Sequence, residues 1–441
     1  MSLVDLDRLQ QALALAEPLP IEGRVLRATG LLLEASLPRV AVGTACEIRT
    51  DDRTVSAEVV GFAGSTALLM PLGSMQGICE GARVLPRRSA AELPVGDALL
   101  GRVVDASMRP VDGGPIALLR GVDPRHAEPP QAMARRRIHA PLQLGIRAFD
   151  TLLTVGEGQR VGIMAGAGVG KSVLLGMLAR STRADVIVVG LVGERGREVR
   201  EFVERDLGEK GLARAVVVVA TSDEPPLVRV RAAMAATAVA EHFRSRGKKV
   251  LLLLDSLTRV AMAQREIGLA AGEPPTAKGY PPSVFALLPS LLERAGNDAG
   301  PGSITALYTV LAEGDDLADP VVDAARSILD GHVVLSRKLA GAGHFPAIDV
   351  LASVSRVMSD VVDAGHLAAA RAAREILAAH AEAADLIDVG AYVAGSNPLV
   401  DRAIRCIGPL RAFLRQGPDE ATSLPEALAE LRRIVEGAPH A

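Results

Sequence analysis

Tryptophan is absent, and seven Phe and three Tyr are the only other aromatic residues in 441 positions. Ala, Val and Leu must therefore fill the core. The three cysteines, Cys46, Cys79 and Cys406, are odd in number and far apart, so they fit neither a zinc spacing nor a disulfide framework. Free thiols in a reducing cytoplasm are expected. No apolar run approaches the length of a membrane span, and Val250 to Leu254 reads as a buried strand. A dominant positive field is missing too: 49 Lys and Arg stand against 52 Asp and Glu, a net charge of −3, which argues against a nucleic-acid-binding surface. The first eight residues, Met1 to Arg8, carry acids where a secretion signal carries bases, so a soluble cytosolic protein is expected.

What is present is a long chain of ordinary globular texture, 49% hydrophobic and 23% charged, which predicts two or three domains. Leu3, Leu6, Leu9, Leu13 and Leu15 fall near one face of a short helix ending before Pro18, an amphipathic arm over 1–18. That arm suits either docking to a partner or packing on its own domain. Short β-type runs separated by turns follow (23–28, 45–49, 55–62 and 66–71), predicting a small β-barrel over 19–90. The proline-bearing stretch 120–141, with Arg135-Arg136-Arg137, reads as an irregular connection. Within a third part, 91–357, apolar runs at 186–190, 215–220, 250–254 and 304–310 alternate with helical stretches, as in a parallel sheet covered on both faces. Residues 358–441 are Ala-rich and predict a small helical domain.

The chemistry begins at Ala165-Gly166-Ala167-Gly168-Val169-Gly170-Lys171-Ser172, which follows the apolar run 161–164 and precedes Val173 to Leu178. Strand, glycine-rich loop and helix is the context that a phosphate-binding P-loop requires. Residues Gly166 to Val173 would cradle phosphates with backbone N–H groups and the positive end of the helix. Lys171 can reach the β- and γ-phosphates, and the Ser172 hydroxyl can ligate Mg²⁺. The pattern departs from G-x-x-x-x-G-K-[ST] at its first position, Ala165, where a methyl fits if φ is negative.

Asp255 closes the run 250–254 at a strand's carboxyl end, where an acid faces the ligand crevice of an open α/β sheet and can hold Mg²⁺ opposite Ser172. Gly193-Glu194-Arg195-Gly196-Arg197-Glu198 follows the strand 186–192. Hydrolysis needs a carboxylate to orient and polarise water, and Glu194 is the best placed; Glu198 could instead face a helix N-terminus.

These motifs, with Asp255-Ser256-Leu257-Thr258-Arg259 and Pro346 to Arg356, occur in an order and spacing that resemble the rotary ATPase α/β family. Gly272 to Phe285 and Leu329 to Arg337 resemble the type III secretion ATPases within it. The resemblance implies an α/β fold: a RecA-like P-loop ATPase core between an N-terminal β-barrel and a C-terminal helical domain. It implies ATP hydrolysis with Mg²⁺ by a homohexamer at the base of an export apparatus, releasing chaperones and unfolding substrates. Lys171 and Ser172 would bind phosphates and metal, Asp255 would support the metal, Glu194 would be the catalytic carboxylate, and Arg195 and Arg259 would join its polar network. Arg356 matches an arginine finger that acts across subunits, and Phe345 an aromatic that stacks on adenine. Tyr280 with Pro281-Pro282 resembles the segment facing a central pore. The partners implied are other copies of the chain, a stator-like regulator at the N-terminal arm, export gate and stalk proteins, and chaperone–cargo complexes. Nucleic acid is not among them, and a peripheral contact with the inner face of the cytoplasmic membrane fits the same picture. Flagellar export and a virulence injectisome are the two subtypes; residues 27–30 and 386–398 look flagellar. Two rivals remain: a β-type subunit of a rotary ATP synthase, and a Rho-like hexameric RNA translocase. The latter needs base-stacking aromatics on the β-domain, where Phe62 stands alone.

Overall fold

The computed structural model describes residues 21–87, 93–115, 120–122, 127–312 and 319–437. The expected N-terminal arm lies outside these residues. Two compact units emerge: one reaches to Glu92 and takes in Ile267–Glu273, and the other holds the remainder.

The first unit is the expected barrel. Strands β1 (Gly23–Thr29), β2 (Leu32–Ser36), β3 (Ala45–Arg49), β4 (Thr54–Ala63), β5 (Thr66–Pro71) and β6 (Arg83–Pro86) close in the order β1-β2-β5-β4-β3-β6. Alternation places Val25, Leu33, Ala35, Ile48, Val59, Leu69 and Val84 inside. The β-type runs of the sequence correspond to β1, β3, β4 and β5, and β2 and β6 fall outside them.

In the second unit, β7 (Leu93–Val95) pairs with β9 (Arg120–Val122), apart from the main sheet. That sheet comprises β8 (Arg102–Asp105), β10 (Arg160–Ala165), β11 (Val186–Glu194), β12 (Ala215–Thr221), β13 (Lys249–Asp255), β14 (Gly296–Asn297), β15 (Ser303–Leu311), β16 (Gly331–Leu335) and β17 (Ile348–Ser355). Its order is β17-β16-β10-β15-β13-β11-β12-β8, with β14 paired beside β15. Every pairing is parallel except those of β14 and β17. Runs such as Val250–Leu254 and Val186–Val192 are wholly buried, as strands covered on both faces must be.

Three helices close the chain: Ala364–Asp388, Pro398–Leu414 and Leu424–Val435. Asp363, Asn397 and the Ser423–Glu426 capping box satisfy their first N–H groups. Their apolar faces, with Ala373, Ile376, Leu410 and Leu431, join one continuous cluster with Ile163, Leu251 and Leu307 of the sheet. The composition change near residue 358 therefore marks no break in packing. Among the described residues, no helix is long and apolar enough to cross a membrane.

Candidate active site

The P-loop joins β10 to the helix Lys171–Ser181. Ala165 is an ordinary strand residue, paired with Leu311 and Leu335, and its φ is not positive, so the methyl is accommodated. Gly168 and Gly170 have φ of 76° and 85°, a region in which a side chain is strained. Val169 between them is buried and pins the loop to the core, while Ala167 and Gly168 are exposed. The helix starts with neither a side-chain cap nor an acid in its first turn. Its N–H groups and positive dipole end are therefore left for an anion. Ser172 is exposed in that turn, and Val173 packs against the core.

Three charged groups meet beside the loop. Lys171 Nζ donates to Asp255 Oδ1 at 2.5 Å and to Glu194 Oε1 at 3.2 Å. The β11–β13 register explains the convergence: Leu191 pairs with Asp255, so Glu194 lies three residues further along the neighbouring strand. Burial lowers the Lys171 pKa, but the Asp255 and Glu194 carboxylates outweigh it and the net shift is upward. Lys171 is thus a firm cation, held by the acids assigned to metal and water. Oxygen donors at Ser172 and Asp255 suit Mg²⁺, which needs only one or two protein oxygens when phosphates supply others.

Gly193 makes Glu194 possible. Its φ is 74°, and a β-carbon there would lie 2.9 Å from Cβ of Arg259. The β11–β12 register shifts at this residue, and that bulge re-aims the strand end. Arg259, in the first turn of the helix Leu257–Ala270, therefore packs directly on the backbone before Glu194, with its Nε buried and unpaired. Arg195 behaves differently: it is 83% exposed and pairs at 3.6 Å with Glu198. Within one chain it is not drawn into the Lys171 cluster.

Phe345 reaches the loop from beyond β16. Its ring lies 3.4 Å from where a β-carbon on Gly170 would stand, and the residue is 45% exposed. Its carbonyl accepts from the Gln416 backbone N–H at 2.9 Å. Within the segment expected to face a pore, Tyr280 and Pro281 are buried, with the Arg265 guanidinium 5.4 Å over the Tyr280 ring, whereas Pro282 is exposed, as are Gly272 and Pro274 to Lys278 just before it. An aromatic ring is better buried than displayed when a cation is there to cover it.

Arg356 is not beside its own P-loop. Strand β17 runs antiparallel to β16, pairing Ser355 with Gly331, whereas Leu335 at the other end of β16 pairs with Ala165. The four steps of β16 from Gly331 to Leu335 separate the two pairings by roughly 13 Å at strand rise. Arg356 is exposed, and its guanidinium donates to the Arg326 carbonyl at 3.3 Å. His332 lies within its field: burial first, then the Arg326 and Arg356 cations, holds the His332 pKa down.

A glycine-cradled helix N-terminus, a loop lysine and two strand-end acids define a nucleoside triphosphatase of the P-loop class. The family model "ATP synthase alpha/beta family, nucleotide-binding domain" matches residues 145–355, its "beta-barrel domain" model matches 25–87, and "T3SS EscN ATPase C-terminal domain" matches 362–433. The flagellum-specific ATP synthase of Pseudomonas aeruginosa is 55% identical over 427 residues, covering 96% of this chain and 94% of its own. The type 3 secretion system ATPase of Sinorhizobium fredii is 52% identical over 418 residues, covering 94% and 92%. The assembled ATPase EscN of enteropathogenic E. coli superposes with a TM-score of 0.90 at 44% identity, covering 94% of this chain and 100% of that one. The chain belongs to the ATP synthase α/β family, in the branch of type III secretion and flagellar ATPases, and it is an ATP-hydrolysing enzyme.

Proposed function

We infer that this chain hydrolyses ATP to drive protein export through a type III apparatus, as a ring whose active sites are completed across subunit boundaries. One observation carries the second half of that statement: Arg356 lies at the amino end of the parallel strands, opposite its own phosphate cradle. An arginine so displaced serves a neighbour's nucleotide or none. The solved assembly of EscN, and that of EscN with its central stalk EscO at a TM-score of 0.87, support a ring with a stalk partner here.

The chemistry follows from the resting contacts. Incoming phosphates compete with Asp255 and Glu194 for the Lys171 ammonium. Once Lys171 has turned to the phosphates, Glu194 is free to accept a hydrogen bond from a water and polarise it. Ser172 and Asp255 would hold Mg²⁺, which supplies charge neutralisation at the phosphates. The neighbour's Arg356 meets the charge that develops on the transferring phosphoryl group. Phe345, itself partly exposed, offers its ring to the base.

Flagellar export is the subtype favoured, on residues 27–30 and 386–398. A stator-like regulator at the N-terminal arm, export gate proteins, chaperone–cargo complexes and the inner face of the cytoplasmic membrane complete the proposed surroundings. ATPase activity measured against protein concentration, with oligomer size followed in parallel, tests the ring. Activity should appear with assembly; full activity in a pure monomer would refute it.

A further inference from the structure

Asp255 Oδ1 carries a second hydrogen bond. The Thr309 hydroxyl, on β15, donates to that oxygen at 2.6 Å, and its next nearest acceptor, the Leu254 carbonyl, lies at 3.4 Å. A single hydroxyl proton goes to the shorter, charged acceptor. Thr309 is fully buried, in a strand whose neighbours Tyr308 and Val310 are buried too. Tyr308 pairs with Leu254 across the β13–β15 ladder, so Thr309 stands level with Asp255 one step beyond the last rung. A valine would fill the same space on this apolar strand; the hydroxyl is what differs.

We propose that Thr309 is a positioning residue for the nucleotide-bound metal site, fixing the Asp255 carboxylate when Lys171 lets go of it. In the resting site two donors share Oδ1: the Lys171 ammonium at 2.5 Å and the Thr309 hydroxyl at 2.6 Å. ATP takes the first away. Asp255 is then a carboxylate of which 4% is exposed, and it would otherwise have lost its charge-assisted partner. Thr309 is fully buried on β15 and its bond does not pass through Lys171, so that bond persists through the exchange and holds the carboxylate in the rotamer that the P-loop side of the site requires.

The inference rests on Asp255 as the acid that supports the metal, and the test separates the two. The Kd of a fluorescent ATP analogue is titrated against Mg²⁺ for the wild type, Thr309→Val, Thr309→Ser and Asp255→Asn, with melting temperature recorded for each. Removing the partner of a metal ligand typically costs 10–100-fold in metal affinity or activity, so Thr309→Val should raise the Mg²⁺ concentration for half-maximal tightening by roughly tenfold or more. Thr309→Ser should remain near wild type, and analogue binding without Mg²⁺ should not weaken in Thr309→Val. Two results would overturn the proposal: an unchanged Mg²⁺ dependence in Thr309→Val while Asp255→Asn alters it, or a Thr309→Ser protein as impaired as Thr309→Val. An unchanged dependence in Asp255→Asn would instead remove the metal reading of Asp255 on which the proposal stands.

Discussion

Replacing Glu194 by Gln removes one of the two charges that hold Lys171 while leaving the side chain's shape. At 3.2 Å and an effective dielectric of about 20, that charge pair is worth roughly 5 kcal/mol before desolvation is counted. Both side chains are largely buried, so the desolvation offset is large and the net hold is a fraction of that. Freed from one competitor, Lys171 should turn to phosphate more readily. ATP·Mg²⁺ should therefore bind as tightly as to wild type or tighter, by up to about tenfold. Turnover should fall by about 10²–10⁴, because the group that polarises water is gone. Calorimetric or fluorescence titration gives the first quantity and steady-state phosphate release the second. A Glu194→Gln protein that loses binding in proportion to turnover would assign Glu194 to holding the loop, and would refute the water-polarising role.

Lys171→Ala should do the reverse, weakening ATP binding itself, since a positive charge is taken from the phosphates; unchanged affinity in the same titration contradicts this. Gly193→Ala must adopt a φ near 74° and push against Arg259, so turnover should fall at least about tenfold, with melting lowered by only a few degrees. Phe345→Ala should weaken ATP binding while leaving inorganic triphosphate binding unchanged, as compared by competition. The Asp150 carboxyl, buried and accepting N–H groups from Leu144 and Gly145, has its pKa raised by that burial from 3.8 to about 6. The folded state therefore keeps the proton longer than the unfolded chain; this contribution is fully present below pH about 4 and lost as pH rises through about 6. Melting followed from pH 4 to 7 should show this loss in the wild type and a flatter profile in Asp150→Asn.

Much of the site was legible because its parts lie at the ends of recognisable runs. A glycine-rich break between an apolar strand and a helix fixes the phosphate loop, and β13 delivers Asp255 at its carboxyl end, as its sequence predicts. Glu194 could be chosen over Glu198 because it ends β11, whereas Glu198 lies in the first turn of the following helix. Thr309 was missed because threonine is also a strand former, so a hydroxyl within the apolar run 304–310 carries no sign of its partner. The role of Gly193 depends on Arg259, a contact between residues 66 positions apart that no local pattern records. Arg195 and Tyr280 were assigned by resemblance, and both sit differently in a single chain: one is solvated beside Glu198, the other buried under Arg265. Arg356 was legible as an arginine in a family motif, but its distance from its own loop depends on β17 running against β16.

The most direct test of the account is complementation between Arg356→Ala and Lys171→Ala subunits. Alone, Arg356→Ala should bind ATP and hydrolyse it poorly, by a factor of about 10³–10⁵ where arginine fingers act, and Lys171→Ala should be inactive because it binds ATP weakly. In rings mixed at equal ratio, roughly a quarter of the boundaries join an intact Lys171 site to an intact Arg356. Activity should therefore partly return on mixing, in step with the formation of mixed rings. Mixed rings that form and stay inactive would contradict an active site shared between subunits.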